Sequence, residues 1–450
     1  MTFDPKTIKT FRFISAVYHE KSQQAHLNYA FDRSHYFTET LTFPNAKPLT
    51  ASGRLALKQV LQQLHLVAGI SYYKAALPAA IQIETTAISQ ANAQFLNQLY
   101  QHGLGEFSYC NQQDLQGKIN FPYQKNHQPT PALHSLRKKT IVPVGGGKDS
   151  VVSIELLRQS QVDIDLFSVG QSKIIQNVVD VSGLPYLKVL RQLSPHLFEL
   201  NQQGAYNGHV PISAILAYIM AAAAILYDFD TVVMSNERSA NVGNLSWHNQ
   251  EINHQYSKSL AFEQAVQQQF SQLLPDFNYF SLLRPLSELH IARLFAQATA
   301  YHGVFSSCNH NYRIHKKQNH QGVWCLNCPK CRFVFLALAP FIPQQKLIKI
   351  FGHNLLTDPQ QQTGFSALLG INQHKPFECV GEIEESQVAL YLLSQQPDWR
   401  DLPMLKYYQQ QLNFPAQNMA KKMWQVFNIS DQHNIPPIYE SLLDNELSEI

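Results

Sequence analysis

The stretch TIVPVGGGKDSVVSIELLRQ, residues 140–159, constrains this chain most, because it joins a β-branched run to a helical one through three consecutive glycines. Gly145, Gly146 and Gly147 let the backbone take positive φ and approach a ligand with no Cβ in the way. Ser150 then opens a helix, whose unpaired N–H groups and positive dipole end favour an anion. Val142 and Val144 supply the strand before the turn, while Val151, Val152, Ile154, Leu156 and Leu157 make a wide apolar face for packing on a sheet. Pro143 cannot donate to a ladder, so it is expected at the strand's end. The expected outcome is a strand–turn–helix unit that cradles a pyrophosphate.

The spacing excludes a Walker A loop, which needs four residues between its glycine and Gly-Lys-Ser/Thr, and a G-x-G-x-x-G dinucleotide fingerprint. GGGKDS instead resembles the SGGxDS loop of the PP-loop ATP pyrophosphatases, with Gly145 where that pattern has serine. Those enzymes split ATP between its α- and β-phosphates and transfer AMP to a carbonyl or carboxylate oxygen. The resemblance implies ATP and magnesium as cofactors, with Gly145, Gly146, Gly147, Lys148, Asp149 and Ser150 around the departing pyrophosphate. Lys148 would neutralise phosphate charge and Asp149 would help hold magnesium. Both residues also suit a plain helix start, Asp149 on dipole grounds alone.

A chain of 450 residues buries a large core and is expected to divide into two or three domains. A net charge of +3 gives no global electrostatic case for a nucleic-acid partner. The one long uncharged run, 210–227, is borderline in length for a membrane span, rich in alanine, and has Pro211 where a first helical turn accepts it. A buried helix is therefore expected, with no membrane partner. The opening MTFDPKTIKTFRF lacks the apolar core and cleavage site of a secretory signal, so the expected location is cytoplasmic.

Residues 11–43 alternate as half-buried antiparallel strands do, with Ala25, Leu27, Tyr29 and Phe31 on one face. Leu57, Val60, Leu61, Leu64, Val67 and Ala68 then form a helical stripe closed by Gly69. Residues 124–139 have linker composition. Beyond them, strand-like runs at 164–169, 187–190, 231–235 and 279–283 alternate with helical segments, the pattern of a parallel α/β sheet. The expected fold is α/β: an α+β N-terminal domain over 1–135, a parallel-sheet PP-loop domain of the adenine-nucleotide α-hydrolase kind over 136–345, and a helical C-terminal extension over 346–450. Ligands of such sheets sit at strand C-terminal ends, which places the loops after Val144, Val169 and Ser235 around one crevice.

The loop after Ser235 groups Glu237 with Arg238. The carboxylate could bind magnesium or move a proton, and the guanidinium could clamp an anion; a surface ion pair is the alternative. His209, just before Pro211, precedes a helix N-terminus that would favour an anion, and it could equally be a packing residue. Of six cysteines, Cys308, Cys325, Cys328 and Cys331 form overlapping C-x-x-C steps with a fourth thiol across a loop, while Cys110 and Cys379 stand apart. Four converging thiolates suit a structural zinc, and an iron–sulfur cluster needs similar ligands. Free cysteines on one helix face are the alternative, which Pro329 disfavours. His310, His315 and His320 lie between the first cysteine and the rest, as further ligands or as members of a solvated loop.

Taken together, TFRF, YAFD, GISYYKA, HGLGEF, GGGKDS, NGHVPIS, SNERSA, NHQYSKS and WCLNCPKCRFVFLAL resemble the ATP-dependent UDP-N-acetylmuramoyl-L-alanyl-L-glutamate epimerases of bacterial peptidoglycan synthesis, over roughly residues 10–340. The resemblance implies inversion of the terminal L-glutamate of UDP-MurNAc-L-Ala-L-Glu, with ATP consumed to AMP and pyrophosphate. Glu237, His209 and Cys110 are then the candidates for moving the α-proton, joined by Cys308 if it holds no metal. Another adenylating PP-loop enzyme, forming a nitrile or amide or modifying RNA, is the first alternative, and a non-catalytic adenine-nucleotide sensor the second. The oligomeric state and the role of the C-terminal extension stay open at this level.

Overall fold

The computed structural model describes residues 3–127, 131, 134–160, 162–312, 323–371, 375–413 and 415–447. Its strands are β1 (Thr10–His19), β2 (Gln24–Phe31), β3 (His35–Thr42), β4 (Ala80–Ile83), β5 (Thr140–Pro143), β6 (Ile164–Val169), β7 (Tyr186–Gln192), β8 (Thr231–Met234), β9 (Leu245–Trp247), β10 (Gln250–Ile252) and β11 (Asn278–Ser281). One sheet runs β11-β8-β5-β6-β7-β3-β2-β1-β4, and β9 with β10 forms a separate ribbon. From β11 to β7 every neighbouring pair is parallel. Strand order reverses at β5, since β6 and β7 follow on one side and β8 and β11 on the other. In open α/β sheets that reversal leaves a crevice beyond the strand ends, which is where ligands bind.

Pro143 is the last residue of β5, as expected, and its neighbours explain how a proline fits a central strand. Val144 N donates to Phe167 O on the β6 side (2.8 Å), so Pro143 faces β8, where pairing stops at Ile141 with Val232. No ladder bond is lost there.

The expected division at 135/136 does not separate two cores. Thr40, Leu41 and Thr42 of β3 pair antiparallel with Gln192, Arg191 and Leu190 of β7, so the N-terminal strands extend the parallel sheet. One apolar cluster runs from Ile8 through Leu61 and Tyr218 to Tyr279. The uncharged run folds as the helix Ile212–Tyr227, buried nearly throughout and packed on the helix Ala51–Ala68. No helix among the described residues is long and apolar enough to cross a membrane.

Gly69 closes Ala51–Ala68 differently from the expectation. Its backbone is right-handed (φ −55°), and it leads directly into the short helix Ile70–Tyr73. The demand there is for space, because a Cβ would stand 2.4 Å from Phe13 Cε1. The C-terminal extension packs its helices Ile383–Ser394, Pro403–Leu412 and Ala416–Phe427 into a second apolar cluster that includes Val151, Leu289 and Phe333. It therefore covers the face of the sheet that carries the helix after the glycine turn.

Candidate functional site

The glycine turn lies where the strand order reverses. Gly146 has φ +79°, Gly147 is the N-cap of the helix Lys148–Arg158, and no side chain among the described residues caps that helix. Its first N–H groups are left to an external acceptor, the arrangement that binds anions at helix N-termini. A Cβ on Gly145 would meet nothing within 4 Å, whereas one on Gly147 would stand 2.8 Å from Ser307 Oγ. Ser306 N donates to Gly146 O (2.9 Å), so the segment leading to Cys308 props the turn from behind. Ser150 Oγ turns back to Gly147 O (3.2 Å).

Lys148 points inward. It is fully buried, and its ammonium donates to Asp149 Oδ1 and Glu288 Oε2. Glu288, at the start of the helix Glu288–Gln297, also accepts from Lys330 Nζ (3.0 Å). Burial alone would push the Glu288 carboxyl up, but Lys148 and Lys330 together hold it down at about 2. Lys148 and Asp149 thus belong to a buried ionic chain as well as to the turn, and a phosphate or magnesium ion would have to compete for them.

Glu237 and Arg238 part company. Glu237 is 3 % exposed, and its Oε1 has no hydrogen-bond partner among the described residues. Burial, reinforced by Glu288, pushes its carboxyl up despite Lys258. Its backbone oxygen accepts from the buried guanidinium of Arg284 (2.8 Å), which also donates to Lys258 O (2.5 Å) and Glu263 Oε2 (2.9 Å). Arg238 is directed away from the crevice: it donates to Asn428 O (2.9 Å), Gln425 O (2.9 Å) and Val426 O (3.3 Å) at the end of Ala416–Phe427. These donors hold the C-terminal extension, so an anion would have to compete with the three carbonyls for the guanidinium.

A second group of side chains adjoins Glu237. Lys258 Nζ stands 3.2 Å from Cys379 Sγ, and His254, which also acts on that thiol electrostatically, hydrogen-bonds Glu106 Oε2 through Nδ1. His209 lies 3.4 Å from the same Glu106 oxygen with its ring 4.4 Å from that of His254. Burial, reinforced by His254, lowers His209 to about 4, so it is neutral at pH 7. His254 is raised to about 9, because Cys379 and Glu106 outweigh its burial. Cys110 is exposed, and its thiol is pushed up by partial burial and by Glu106, which leaves it a weak proton acceptor.

Cys308, Cys325, Cys328 and Cys331 converge, with one Sγ from each within 4.8 Å of the others and Cys325 Sγ 3.8 Å from Cys331 Sγ. Pro329 begins the helix Pro329–Leu338 and does not break one, so Cys328 is its N-cap and only Cys331 lies within it. His310 Nδ1 is 2.8 Å from Cys325 Sγ, while His315 and His320 lie outside the described residues.

Several of the sequence signatures meet here: SNERSA brings Glu237 and NGHVPIS His209, both already candidates, while HGLGEF brings Glu106, NHQYSKS His254 and Lys258, and WCLNCPKCRF Lys330, residues the sequence had assigned no chemistry. Glu288 and Cys379 carried no motif, and nothing short of the fold brings them in.

These features define an open-sheet α/β protein whose ionisable groups gather at the point where strand order reverses. Residues 2–282 match the MurL N-terminal domain and residues 304–423 the MurL C-terminal domain. A protein of Xanthomonas oryzae pv. oryzae named UDP-N-acetyl-alpha-D-muramoyl-L-alanyl-L-glutamate epimerase is 43% identical over 438 residues, 97% of each chain. Proteins of the same name from a Micromonospora species (43%, 92% of each chain) and from Salinispora tropica (42%, 89% of this chain and 88% of the relative) are similarly close. The chain belongs to the MurL family.

Proposed function

We propose that this protein epimerises the terminal L-glutamate of UDP-MurNAc-L-Ala-L-Glu to D-glutamate in the cytoplasm, driven by conversion of ATP to AMP and pyrophosphate. The family membership supports the substrate. The observation that carries the chemistry is the helix N-terminus behind Gly145, Gly146 and Gly147, which no side chain among the described residues caps, within electrostatic reach of Glu237, whose Oε1 has no hydrogen-bond partner among the described residues.

The reason for spending ATP is electrostatic. A carboxylate resists formation of a second anion on the adjacent carbon, and adenylation removes that negative charge. The α-proton of the acyl-adenylate is acidic enough for a positioned side chain to remove, and a proton returns on the opposite face. Hydrolysis of the anhydride by water then yields the D-epimer and AMP. The glycine turn and the N–H groups of Lys148–Arg158 fit the pyrophosphate portion, with Asp149, in the first turn of that helix, as the candidate carboxylate for magnesium.

The cysteine cluster fits zinc. Zn–S bonds of about 2.3 Å in a tetrahedron separate the sulfurs by roughly 3.8 Å, which matches the Cys325–Cys331 spacing of 3.8 Å. Such an ion would fix residues 306–308 under the glycine turn and Lys330 against Glu288, a structural role.

The test is chiral analysis of glutamate after incubation with UDP-MurNAc-L-Ala-L-Glu, magnesium and ATP. D-glutamate formation dependent on ATP, with stoichiometric pyrophosphate, is expected. Pyrophosphate release that instead requires ammonia and a different acceptor would point to another adenylating enzyme, and nucleotide binding without pyrophosphate release would point to a sensor.

A further inference from the structure

We infer that Cys379 is a catalytic residue, the thiol that exchanges the α-proton on one face of the glutamyl carbon. This rests on the adenylation reading above and deepens it by naming an acid/base group that the sequence left among unassigned cysteines.

The geometry places this thiol among charged partners and fixes it there. Cys379 is partly exposed, with Lys258 Nζ 3.2 Å from Sγ and His254 near enough to act on it electrostatically. Its segment is anchored on both sides, since Asn244 Nδ2 donates to Pro376 O (2.9 Å) and Lys330 N donates to Glu378 Oε2 (3.0 Å). The Lys258 ammonium also acts on Glu237, whose buried Oε1 lacks a hydrogen-bond partner among the described residues. A buried acceptor left unmatched and a held thiol, both facing the Lys258 ammonium, are the arrangement that a bound substrate would complete.

The surroundings also suit the chemistry. Burial pushes the thiol up, but Lys258, His254 and the more distant Lys330 outweigh it and bring the group to about 7. A group titrating near neutrality can both take and return a proton. No other free cysteine has this setting: Cys110 is exposed and shifted the opposite way, and Cys308 sits in the four-thiol cluster.

The step balances without a further reactant. The Cys379 thiolate takes the α-hydrogen as a proton, so that S–H forms, C–H breaks, and the electron pair delocalises into the acyl-adenylate carbonyl. A protonated group on the other face, with Glu237 as the candidate, then delivers a proton to carbon. In the reverse direction the roles exchange. Lys258 and His254 are positioning residues that hold the thiolate.

The experiment uses the full chain with UDP-MurNAc-L-Ala-L-Glu or its D-glutamyl epimer, ATP and magnesium, in deuterated water. Wild-type protein must first release pyrophosphate; if it does not, the adenylation reading fails and this assignment falls with it, visibly in the wild-type arm. Cys379→Ala is expected to keep pyrophosphate release within threefold. It should slow epimerisation by a factor on the order of 10² or more, the usual scale for a lost acid/base group. It should also lose α-deuterium incorporation from one epimer while keeping it from the other, a split that a merely structural role would not produce. Lys258→Met should move the rise of epimerisation rate with pH to higher pH. Epimerisation within threefold of wild type in Cys379→Ala overturns the assignment. If Cys379→Ala also loses pyrophosphate release, Cys379→Ser decides: equal loss of both activities with native circular dichroism overturns it, and selective loss of epimerisation sustains it.

Discussion

Glu288 ties the glycine turn to the cysteine-bearing segment, and its replacement by glutamine removes the charge while keeping the shape. Lys148 would retain Asp149, but Lys330 would lose the carboxylate it faces in a residue only 5 % exposed. The carboxyl sits at about 2 in the folded protein against an ordinary 4.5. At about 1.4 kcal/mol per pH unit that difference is about 3 kcal/mol, and breaking one side of a buried ion pair costs about 3–5 kcal/mol. With an unfolding entropy of about 2.1 cal/mol/K per residue, Glu288→Gln should lower Tm by about 3–5 °C at pH 7. The sign with pH follows from a depressed carboxyl, whose stabilisation is complete above its unfolded value and is lost only as pH falls toward 2. The Tm difference should therefore stay constant between pH 6 and 8. Adding Lys330→Met should recover part of the loss, because it removes the stranded cation. Differential scanning calorimetry checks all three points, and a single variant melting within 1 °C of wild type would refute the claim that Glu288 compensates two buried ammonium groups.

Gly147→Ala should raise the KM for ATP several-fold in a pyrophosphate-release assay, because the added Cβ stands 2.8 Å from Ser307 Oγ and forces either that hydroxyl or the turn to shift; an unchanged KM in Gly147→Ala and in Gly147→Val, whose larger side chain the hydroxyl's rotation cannot accommodate, means the turn does not seat the nucleotide. Protein purified without chelators should contain one equivalent of zinc by atomic absorption, and Cys325→Ser should lower that content and the Tm together. Arg238→Ala should destabilise the protein by about 2 kcal/mol through loss of charge-assisted bonds to backbone carbonyls, with little change in the KM for ATP. A large KM effect there would restore Arg238 to the anion site. Glu385 is buried and accepts from Leu289 N (2.7 Å); burial and then Glu288 raise its carboxyl to about 8. A raised carboxyl makes the fold lose stability as pH climbs from about 4.5 to 8. Glu385→Gln should thus gain in Tm relative to wild type across that window, and parallel Tm curves would contradict the assignment.

The sequence by itself determined the local elements and the signatures of the family. The alternation of Ala25, Leu27, Tyr29 and Phe31, the glycine turn between two apolar runs, and the spacing of Cys325, Cys328 and Cys331 are short-range patterns. Backbone sterics and side-chain periodicity suffice to read them. Tertiary structure alone decided which distant side chains share a site. Pairing of β3 with β7 merged the N-terminal strands with the parallel sheet, and docking of the C-terminal extension drew Arg238 away from the crevice while bringing Cys379 beside Lys258. These contacts join residues more than 100 positions apart. Their formation depends on burial of shared apolar faces, and no local pattern records which faces will meet.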